Sequence, residues 1–297
     1  MPRITVKPDI RFRKGDSRCP LVVFIHGMGV NADFWTDPSR AKVLGGKYPL
    51  RVLLAKDMEP ATSYADLAQL GFSVLTWSQT RPAGPIRTAV TELRQVLEEH
   101  SGHGRNGVVF ICHSRGGLVA RKYLEDAGGQ PRMLITIATP HAGTSMAKWA
   151  AFISPLASAL GKVIDNLGKR EADTAFRRIL RFLGSSGLRE LLPGSAFYTG
   201  LKDAKKRDVR YVSIGGTNPD LLKAVAVPLP ELLSKIIPES IFPEEMRDGL
   251  GDGLVSAASS VLPYCDEHRN YPLNHAALLF DKTVRDFIAE AVRPLLG

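Results

Sequence analysis

A serine between a buried strand pattern and the start of a helix is the most reactive arrangement in the sequence. Residues 108–112 (VVFIC) are apolar, and residues 113–117 (HSRGG) lead into a helical pattern. A strand, a small-x-Ser-x-Gly turn and a helix form a nucleophile elbow, in which a strained turn exposes the hydroxyl. Gly116 provides the small residue required after the serine, whereas Cys112 stands where glycine is usual. We predict that Ser114 is a nucleophile and that Cys112 is a buried core residue.

A serine hydroxyl needs a general base, and two downstream loops offer a base and an acid. His275 lies just before an apolar helix start, and Asp252 lies between two glycines. His275 would take the proton of Ser114 and return it to a leaving alcohol. Asp252 would hold the required tautomer of His275 and stabilise its imidazolium form. We therefore predict a Ser114–Asp252–His275 triad.

Three other residues compete for the acid and base roles. His268 is the rival base, although its charged neighbours indicate a solvated turn. Asp220 directly follows a predicted strand, which is a common position for the acid, and Asp248 is a further alternative. The sequence favours Asp252 and leaves Asp220 open.

Backbone donors for a developing oxyanion are predicted in a glycine-rich loop. The sequence His-Gly-Met-Gly at residues 26–29 ends an early strand, and its amides could face the serine. Together with the amide of Arg115 they would form an oxyanion hole. Met28 is the predicted first donor, with Gly27 or Gly29 as alternatives if the loop register differs.

Four large side chains close to these motifs are candidates for lining a substrate pocket. For the histidines at positions 26 and 113, packing or orienting a loop is the favoured interpretation, and a place in the pocket is the alternative. The candidates are His26, His113, His141 and Trp149.

Short apolar runs alternate with helical patterns along most of the chain, which is typical of a doubly wound α/β sheet. A helix is predicted between the second and third runs, another over residues 116–126, and a closing helix over Lys282–Val292. The predicted parallel strands are Leu21–Ile25, Phe72–Trp77, Gly107–Cys112, Met133–Ala138 and Arg210–Gly215.

One long stretch interrupts this alternation. Residues 145–208 contain no strand pattern but two apolar stripes with helical spacing, so we predict a helical cap inserted into the domain. The core would then comprise residues 1–144 and 209–297, with residues 221–243 as a candidate second cap loop. The apolar stripes of the cap would form the walls of an acyl pocket.

The charge of the chain is concentrated in that insertion. The 297 residues carry 39 Lys+Arg and 30 Asp+Glu, a net charge of +9, of which residues 145–208 contribute 12 basic and 6 acidic residues. A hydrophobic fraction of 44% excludes a disordered chain. No nucleic-acid-binding motif is present, so we predict no nucleic-acid partner. A basic cap suits either a solvated outer face, which we favour, or peripheral contact with an anionic lipid surface.

The cysteines and the N-terminal sequence bear on cofactors and location. The three cysteines, at positions 19, 112 and 265, form no metal-binding cluster, and we predict no metal and no cofactor. No apolar leader segment and no run of about 18 apolar residues is seen, so we expect a cytoplasmic protein.

Taken together, these motifs resemble the α/β-hydrolase superfamily, and within it the bacterial triacylglycerol lipase and esterase group. The triad order Ser, Asp, His along the chain is the order of that superfamily. The matching stretches are 26–29, 112–117, 138–144, 211–217, 252–260 and 274–275.

The resemblance implies an α/β-hydrolase fold with a helical lid and a carboxylic-ester hydrolase that forms an acyl-enzyme on Ser114. Secreted members often hold calcium through an aspartate two residues after the catalytic histidine; here that residue is Ala277, which argues against calcium. An acyltransferase, a lipid-anchor deacylase and a non-catalytic lipid- or protein-binding member of the fold are the alternatives. Its substrate would be a small-molecule or lipid ester.

Overall fold

Seven strands form one sheet in a computed structural model that describes residues 8–47, 61–127, 131–146, 185–220, 238–239 and 242–297. The order across this sheet is β1-β5-β2-β6-β7-β8-β9, and β3 and β4 form a separate hairpin. The strands are β1 (Asp9–Arg13), β2 (Leu21–Ile25), β3 (Lys42–Val43), β4 (Gly46–Lys47), β5 (Ser73–Ser78), β6 (Val108–His113), β7 (Met133–Ile137), β8 (Arg210–Gly216) and β9 (Glu267–Tyr271).

The central strands of the sheet are parallel and apolar because helices cover both faces. Only β1 runs antiparallel to its neighbour, β5. Every residue of β2 and β7 is buried, so these strands read as continuous apolar runs rather than alternating ones. All five predicted strands are present, with ends that differ by at most one residue, and the predicted mostly parallel α/β sheet is confirmed.

The two edge strands were not predicted, because their exposed positions carry charged residues that interrupt an apolar pattern. One of them corrects an expectation: residues around His268 form β9 rather than a solvated turn. Backbone pairing with β8 places His268 opposite Ser213 in the register. The strand is polar because it lies at the edge of the sheet.

Helices pack on both faces of the sheet and enclose two apolar layers. The helices are α1 (Asp33–Thr36), α2 (Ser63–Gln69), α3 (Ile86–Glu99), α4 (Arg115–Ala127), α5 (Ser186–Glu190), α6 (Ala196–Gly200) and α7 (Lys282–Val292). Alternate residues of β2 enter opposite layers. Val22 lies in the layer that contains residues of α1, α2 and α7, and Val23 lies in the layer that contains residues of α3 and α4.

The predicted cap falls mostly outside the described residues. Its described parts are residues 145–146 and 185–208, and the second of these contains the short helices α5 and α6 and no strand. The apolar stripes assigned to the cap lie almost wholly beyond these parts, as does most of the candidate second cap loop at 221–243. The cap and the proposed domain division therefore stay predictions.

No helix in the described part of the chain combines the length and the apolar character needed to cross a membrane. The cytoplasmic location stays a prediction from the sequence.

The loops that carry the predicted chemistry follow the carboxyl ends of the parallel strands. Residues 26–29 follow β2 and Ser114 follows β6, while His275 lies four residues beyond the end of β9. Ligands of open α/β sheets bind at this edge, so the fold gathers residues that are far apart in sequence.

Close packing between α4 and β2 makes Gly116 sensitive to substitution. A Cβ at Gly116 would lie 2.4 Å from the backbone oxygen of Ile25. Overpacking of this kind costs about 1–3 kcal/mol. We expect Gly116→Ala to lower the free energy of unfolding by that amount in urea titrations. Gly102→Ala is the control, because a Cβ there meets no atom within 4 Å; equal stability of the two variants would contradict the packing argument.

Candidate active site

The turn after β6 holds Ser114 in a strained backbone conformation. Its φ angle is 53°, in the left-handed region that side chains rarely adopt. The surrounding structure enforces this conformation. The Ser114 amide donates to the oxygen of Ile137 at 2.8 Å, and the Thr139 hydroxyl donates to the oxygen of Ser114 at 2.8 Å. Such strain persists where neighbours over-determine it, and it clusters at functional sites.

The predicted oxyanion loop packs directly against this turn. A Cβ at Gly27 would lie 3.0 Å from the Cβ of Ser114 and 3.0 Å from Nδ1 of His113. A side chain at position 27 would therefore require the side chain of His113 or of Ser114 to shift. Glycine lets the loop lie directly against the serine turn.

His275 and Asp252 form a buried hydrogen-bonded pair. The Nδ1–H group of His275 donates to Oδ2 of Asp252 at 2.8 Å, and the two residues are 6% and 1% exposed. The amide of His275 also donates to the backbone oxygen of Asp252 at 3.0 Å. This arrangement fixes the imidazole tautomer and leaves Nε2 as the basic nitrogen.

The carboxylate of Asp252 is further stabilised by backbone donors. Its Oδ1 accepts hydrogen bonds from the amides of Leu254 at 3.0 Å and Val255 at 2.8 Å. Each oxygen of the buried carboxylate therefore has a partner, as a charge away from water requires.

His113 connects the serine turn to His275. Its ring centroid lies 4.7 Å from that of His275, and its Nε2–H group donates to the backbone oxygen of His275 at 3.1 Å. The Ser114 hydroxyl makes no hydrogen bond to the described residues. Nucleophile–base hydrogen bonds are often long in free enzymes and tighten when substrate binds.

The competing acid and base residues occupy other surroundings. Asp220 and Asp248 are exposed. His268 is hydrogen bonded through Nδ1 to the hydroxyl of Ser213 at 2.8 Å and through Nε2 to the side-chain oxygen of Asn270 at 3.1 Å. The structure thus joins His275 to Asp252 and leaves the three alternatives out of this pair.

Of the three candidate donor amides in the oxyanion loop, at residues 27, 28 and 29, one is hydrogen bonded in the described part of the chain and two are not. Gly29 donates to the oxygen of Pro82 at 3.1 Å. Within the described residues, the amides of Gly27 and Met28 make no hydrogen bond. Arg115 is the first residue of α4, so its amide has no acceptor within the helix. The geometry therefore favours Met28 or Gly27, together with Arg115, as candidate donors.

His26 fixes the backbone of the oxyanion loop. It is 1% exposed, its Nδ1–H donates to the oxygen of Gly27 at 2.8 Å, and its Nε2 accepts from the amide of Gln79 at 3.0 Å. Burial lowers the pKa of His26 to about 4. The ring is neutral at neutral pH and acts as a fixed connection between two loops.

The other candidate pocket residues are placed as follows. His113 and His141 are buried, and burial holds the pKa of both well below the usual range. His141 accepts from Nη1 of Arg121 at 3.2 Å and donates through Nε2 to the Thr136 hydroxyl at 3.1 Å. Trp149 lies outside the described residues.

Cys112 is buried within β6, and burial raises the pKa of its thiol well above the usual range. A neutral, enclosed thiol is a poor nucleophile, in agreement with its interpretation as a core residue.

Sequence reasoning missed two polar residues that shape the site. Gln79 follows β5 and bonds to the oxyanion loop, and its position at the carboxyl end of a predicted strand was the available signal. Glu245 is 4% exposed and accepts from the amide of Ser145 at 2.7 Å, while its backbone packs against Gly251, next to Asp252. Nothing in the local sequence distinguishes Glu245 from an exposed acid.

A cleft of about 410 Å³ lies beside the described part of the predicted cap. It opens between α3, α4, α5 and α6, and cations outnumber its single carboxylate. Its lining comprises Arg87, Lys122, Arg189, Glu190, Ser195, Ala196, Phe197 and Gly200.

Comparison with solved structures defines the class of protein. The mature Bacillus licheniformis lipase BlEst2 superposes with a TM-score of 0.60 at 15% identity, covering 95% of this chain and 97% of the lipase. A monoacylglycerol lipase from Paleococcus ferrophilus gives a TM-score of 0.50 at 14% identity, covering 98% of each chain. The fold is that of an α/β-hydrolase, as the sequence motifs predicted.

The chain belongs to the palmitoyl protein thioesterase family, whose sequence model matches residues 21–176. It has no significant match among curated protein sequences. Family and fold together establish an enzyme that hydrolyses esters.

The buried His275–Asp252 pair predicts that activity depends on the carboxylate of Asp252. Asp252→Asn would keep the shape of the side chain but favour the wrong His275 tautomer. The corresponding change in serine proteases lowers kcat about 10⁴-fold. We expect a loss of that order in initial-rate measurements with a chromogenic ester, and little change for the matched Asp220→Asn variant. A larger loss in Asp220→Asn would reassign the acid.

The buried, neutral His26 predicts a loss of stability in acid. Its pKa is about 4 when folded and close to 6.5 when unfolded. Between these values the unfolded chain binds a proton that the folded chain does not, so the free energy of unfolding falls as pH falls. We expect His26→Gln to reduce this dependence in urea titrations between pH 4.5 and 7.5. An unchanged slope of the free energy of unfolding against pH in His26→Gln would contradict the lowered pKa of His26. The control is His103→Gln, at a half-buried histidine far from the loop.

Proposed function

We propose that the protein is a serine hydrolase of acyl esters that works through an acyl-enzyme on Ser114. The observation that carries this proposal is the buried His275–Asp252 hydrogen bond of 2.8 Å beside the strained Ser114 turn. A base held in one tautomer by a buried carboxylate is the arrangement that a weak serine nucleophile requires.

The chemistry would proceed in two steps. Nε2 of His275 takes the proton of the Ser114 hydroxyl as the oxygen attacks the acyl carbonyl, and the same proton is then delivered to the leaving group. The resulting acyl-enzyme is hydrolysed by water, which His275 activates in the same way. In both steps the negative charge on the carbonyl oxygen would be stabilised by the amides of Arg115 and of Met28 or Gly27.

Two classes of substrate are proposed, and they differ in the leaving group. The resemblance to lipases and esterases supports an oxygen ester with an apolar acyl chain, covered by the cap predicted at residues 145–208. The family match supports a long-chain thioester, such as an acylated protein, as the second candidate. Both would form a tetrahedral intermediate that expels an alcohol or a thiol and leaves the same acyl-enzyme, so the same triad and oxyanion hole would serve either substrate.

Substitution of the nucleophile tests the mechanism directly. In a serine protease, loss of the nucleophile lowers kcat about 10⁶-fold, so we expect Ser114→Ala to abolish turnover of chromogenic esters. A fluorophosphonate should add once to the wild type and not to Ser114→Ala, as read by intact-protein mass spectrometry. Ser101→Ala, at an exposed serine, is the control. Unchanged turnover or labelling of Ser114→Ala would overturn the proposed mechanism.

A matched series of oxygen esters and thioesters, with acyl chains from two to sixteen carbons, distinguishes the two substrate classes in the same assay. A kcat/KM that rises with chain length for thioesters only would favour the second candidate.

A further inference from the structure

The side chain of Arg115 is buried although it carries a charge. Arg115 is 0% exposed, and burial lowers its pKa to about 10, with the charges of Glu190 and Glu92 acting in the opposite direction. Removing a cation from water is costly unless its donors are satisfied. Any role for this side chain must therefore be sought in what its guanidinium contacts.

The guanidinium binds a single segment, residues 79–84, which we call the clamp segment. Nη1 of Arg115 donates to the side-chain oxygen of Gln79 at 2.8 Å and to the backbone oxygen of Pro82 at 3.4 Å. Nη2 donates to the backbone oxygen of Gly84 at 2.7 Å. One planar group thus holds three points of the clamp segment.

The same clamp segment holds the oxyanion loop at both ends. At the first end, the Gln79 amide donates to Nε2 of His26 at 3.0 Å, and its side-chain amide donates to the oxygen of His26 at 3.1 Å. At the other end, the amide of Gly29 donates to the oxygen of Pro82 at 3.1 Å. The two free amides lie between these fixed ends.

The opposite side of the clamp segment rests on α5. The amide of Gly187 donates to the oxygen of Ala83 at 3.1 Å, and a carboxylate oxygen of Glu190 accepts from the amide of Ile86 at 2.7 Å. The clamp segment is therefore enclosed between Arg115 and a helix of the predicted cap.

We propose that the Arg115 side chain positions the oxyanion hole. Its amide is one candidate donor, and its guanidinium fixes, through the clamp segment, the loop that carries the other. One residue thereby sets the distance between the two donors. This inference rests on the proposed function, because it assigns a role within that oxyanion hole.

The fork geometry of the side chain is essential to this role. Arginine presents several donors in one plane, whereas lysine offers a single point charge and methionine none. Loss of one oxyanion donor costs about 10²–10³-fold in kcat, and a displacement of about 1 Å can cost about 10²-fold. Removal of the guanidinium should therefore reduce kcat by about 10²-fold.

The test measures kcat and KM for Arg115→Met, Gln79→Leu and wild type. The concentration of active sites in each preparation is determined by titration with a fluorophosphonate. We expect kcat to fall about 10²-fold in each variant while KM stays within about twofold. The affinity for a trifluoromethyl ketone, whose adduct with Ser114 carries an oxyanion, should fall in the same proportion. The affinity for a non-hydrolysable ether analogue of the substrate should not change. The double variant should lose little more than either single variant, because both act through the clamp segment.

The matched control is Arg285→Met. Arg285 is a largely buried arginine that pairs with Asp66 at 2.6 Å and lies on α7, away from the clamp segment. Its substitution should affect thermal stability but not kcat or ketone affinity. Arg115→Lys should recover less than full activity, because the single nitrogen of lysine cannot replace the two guanidinium nitrogens that reach Gln79, Pro82 and Gly84.

Unchanged kcat and ketone affinity in Arg115→Met would overturn the positioning role, even if the melting temperature falls. If Arg115→Met does not fold, Arg115→Lys decides, because it keeps the charge and removes the fork; wild-type kcat and ketone affinity in that variant would overturn the positioning role. A wild type that neither hydrolyses esters nor labels at Ser114 would overturn the proposed function instead, and the positioning role with it.

Discussion

The close approach of α4 to β2 is the constraint on which the rest of the site depends. Gly116 lets the helix begin against the backbone of Ile25, directly after the left-handed turn at Ser114 that ends β6. The loop after β2 packs against the same turn, where a Cβ at Gly27 would lie 3.0 Å from the Cβ of Ser114. Steric packing of the backbone therefore positions the proposed nucleophile and the loop that carries the candidate donors.

Desolvation defines the roles of the histidines around this turn. The rings of His26, His113 and His141 are buried, and burial lowers the pKa of each. As neutral groups they can donate from one nitrogen and accept at the other, which suits them to connecting loops. His275 differs from them because a buried carboxylate holds its Nδ1, so it alone of the four combines a fixed tautomer with a partner for positive charge.

The sequence predicted the elements whose signals are local. The five central strands are buried on both faces and therefore read as apolar runs, and α7 was predicted with its observed bounds. The edge strand β9 was wrongly interpreted as a turn around His268, because an edge strand exposes one side and carries charge there. The contacts of the Arg115 side chain were missed because they join residues far apart in the sequence, whereas the elbow motif predicts a role only for the Arg115 amide.

What the sequence by itself determined is the α/β-hydrolase order of motifs: an elbow serine, a glycine-flanked aspartate and a histidine before a helix. These signals are readable because each reflects a local requirement for a turn, a small residue or a strand end. Only the tertiary structure paired Asp252 rather than Asp220 with His275 and showed the hydrogen bonds that connect Arg115, through Gln79, to His26. Those contacts join residues 23 to 53 positions apart, and their geometry arises only when the parallel strands bring their carboxyl ends to one edge.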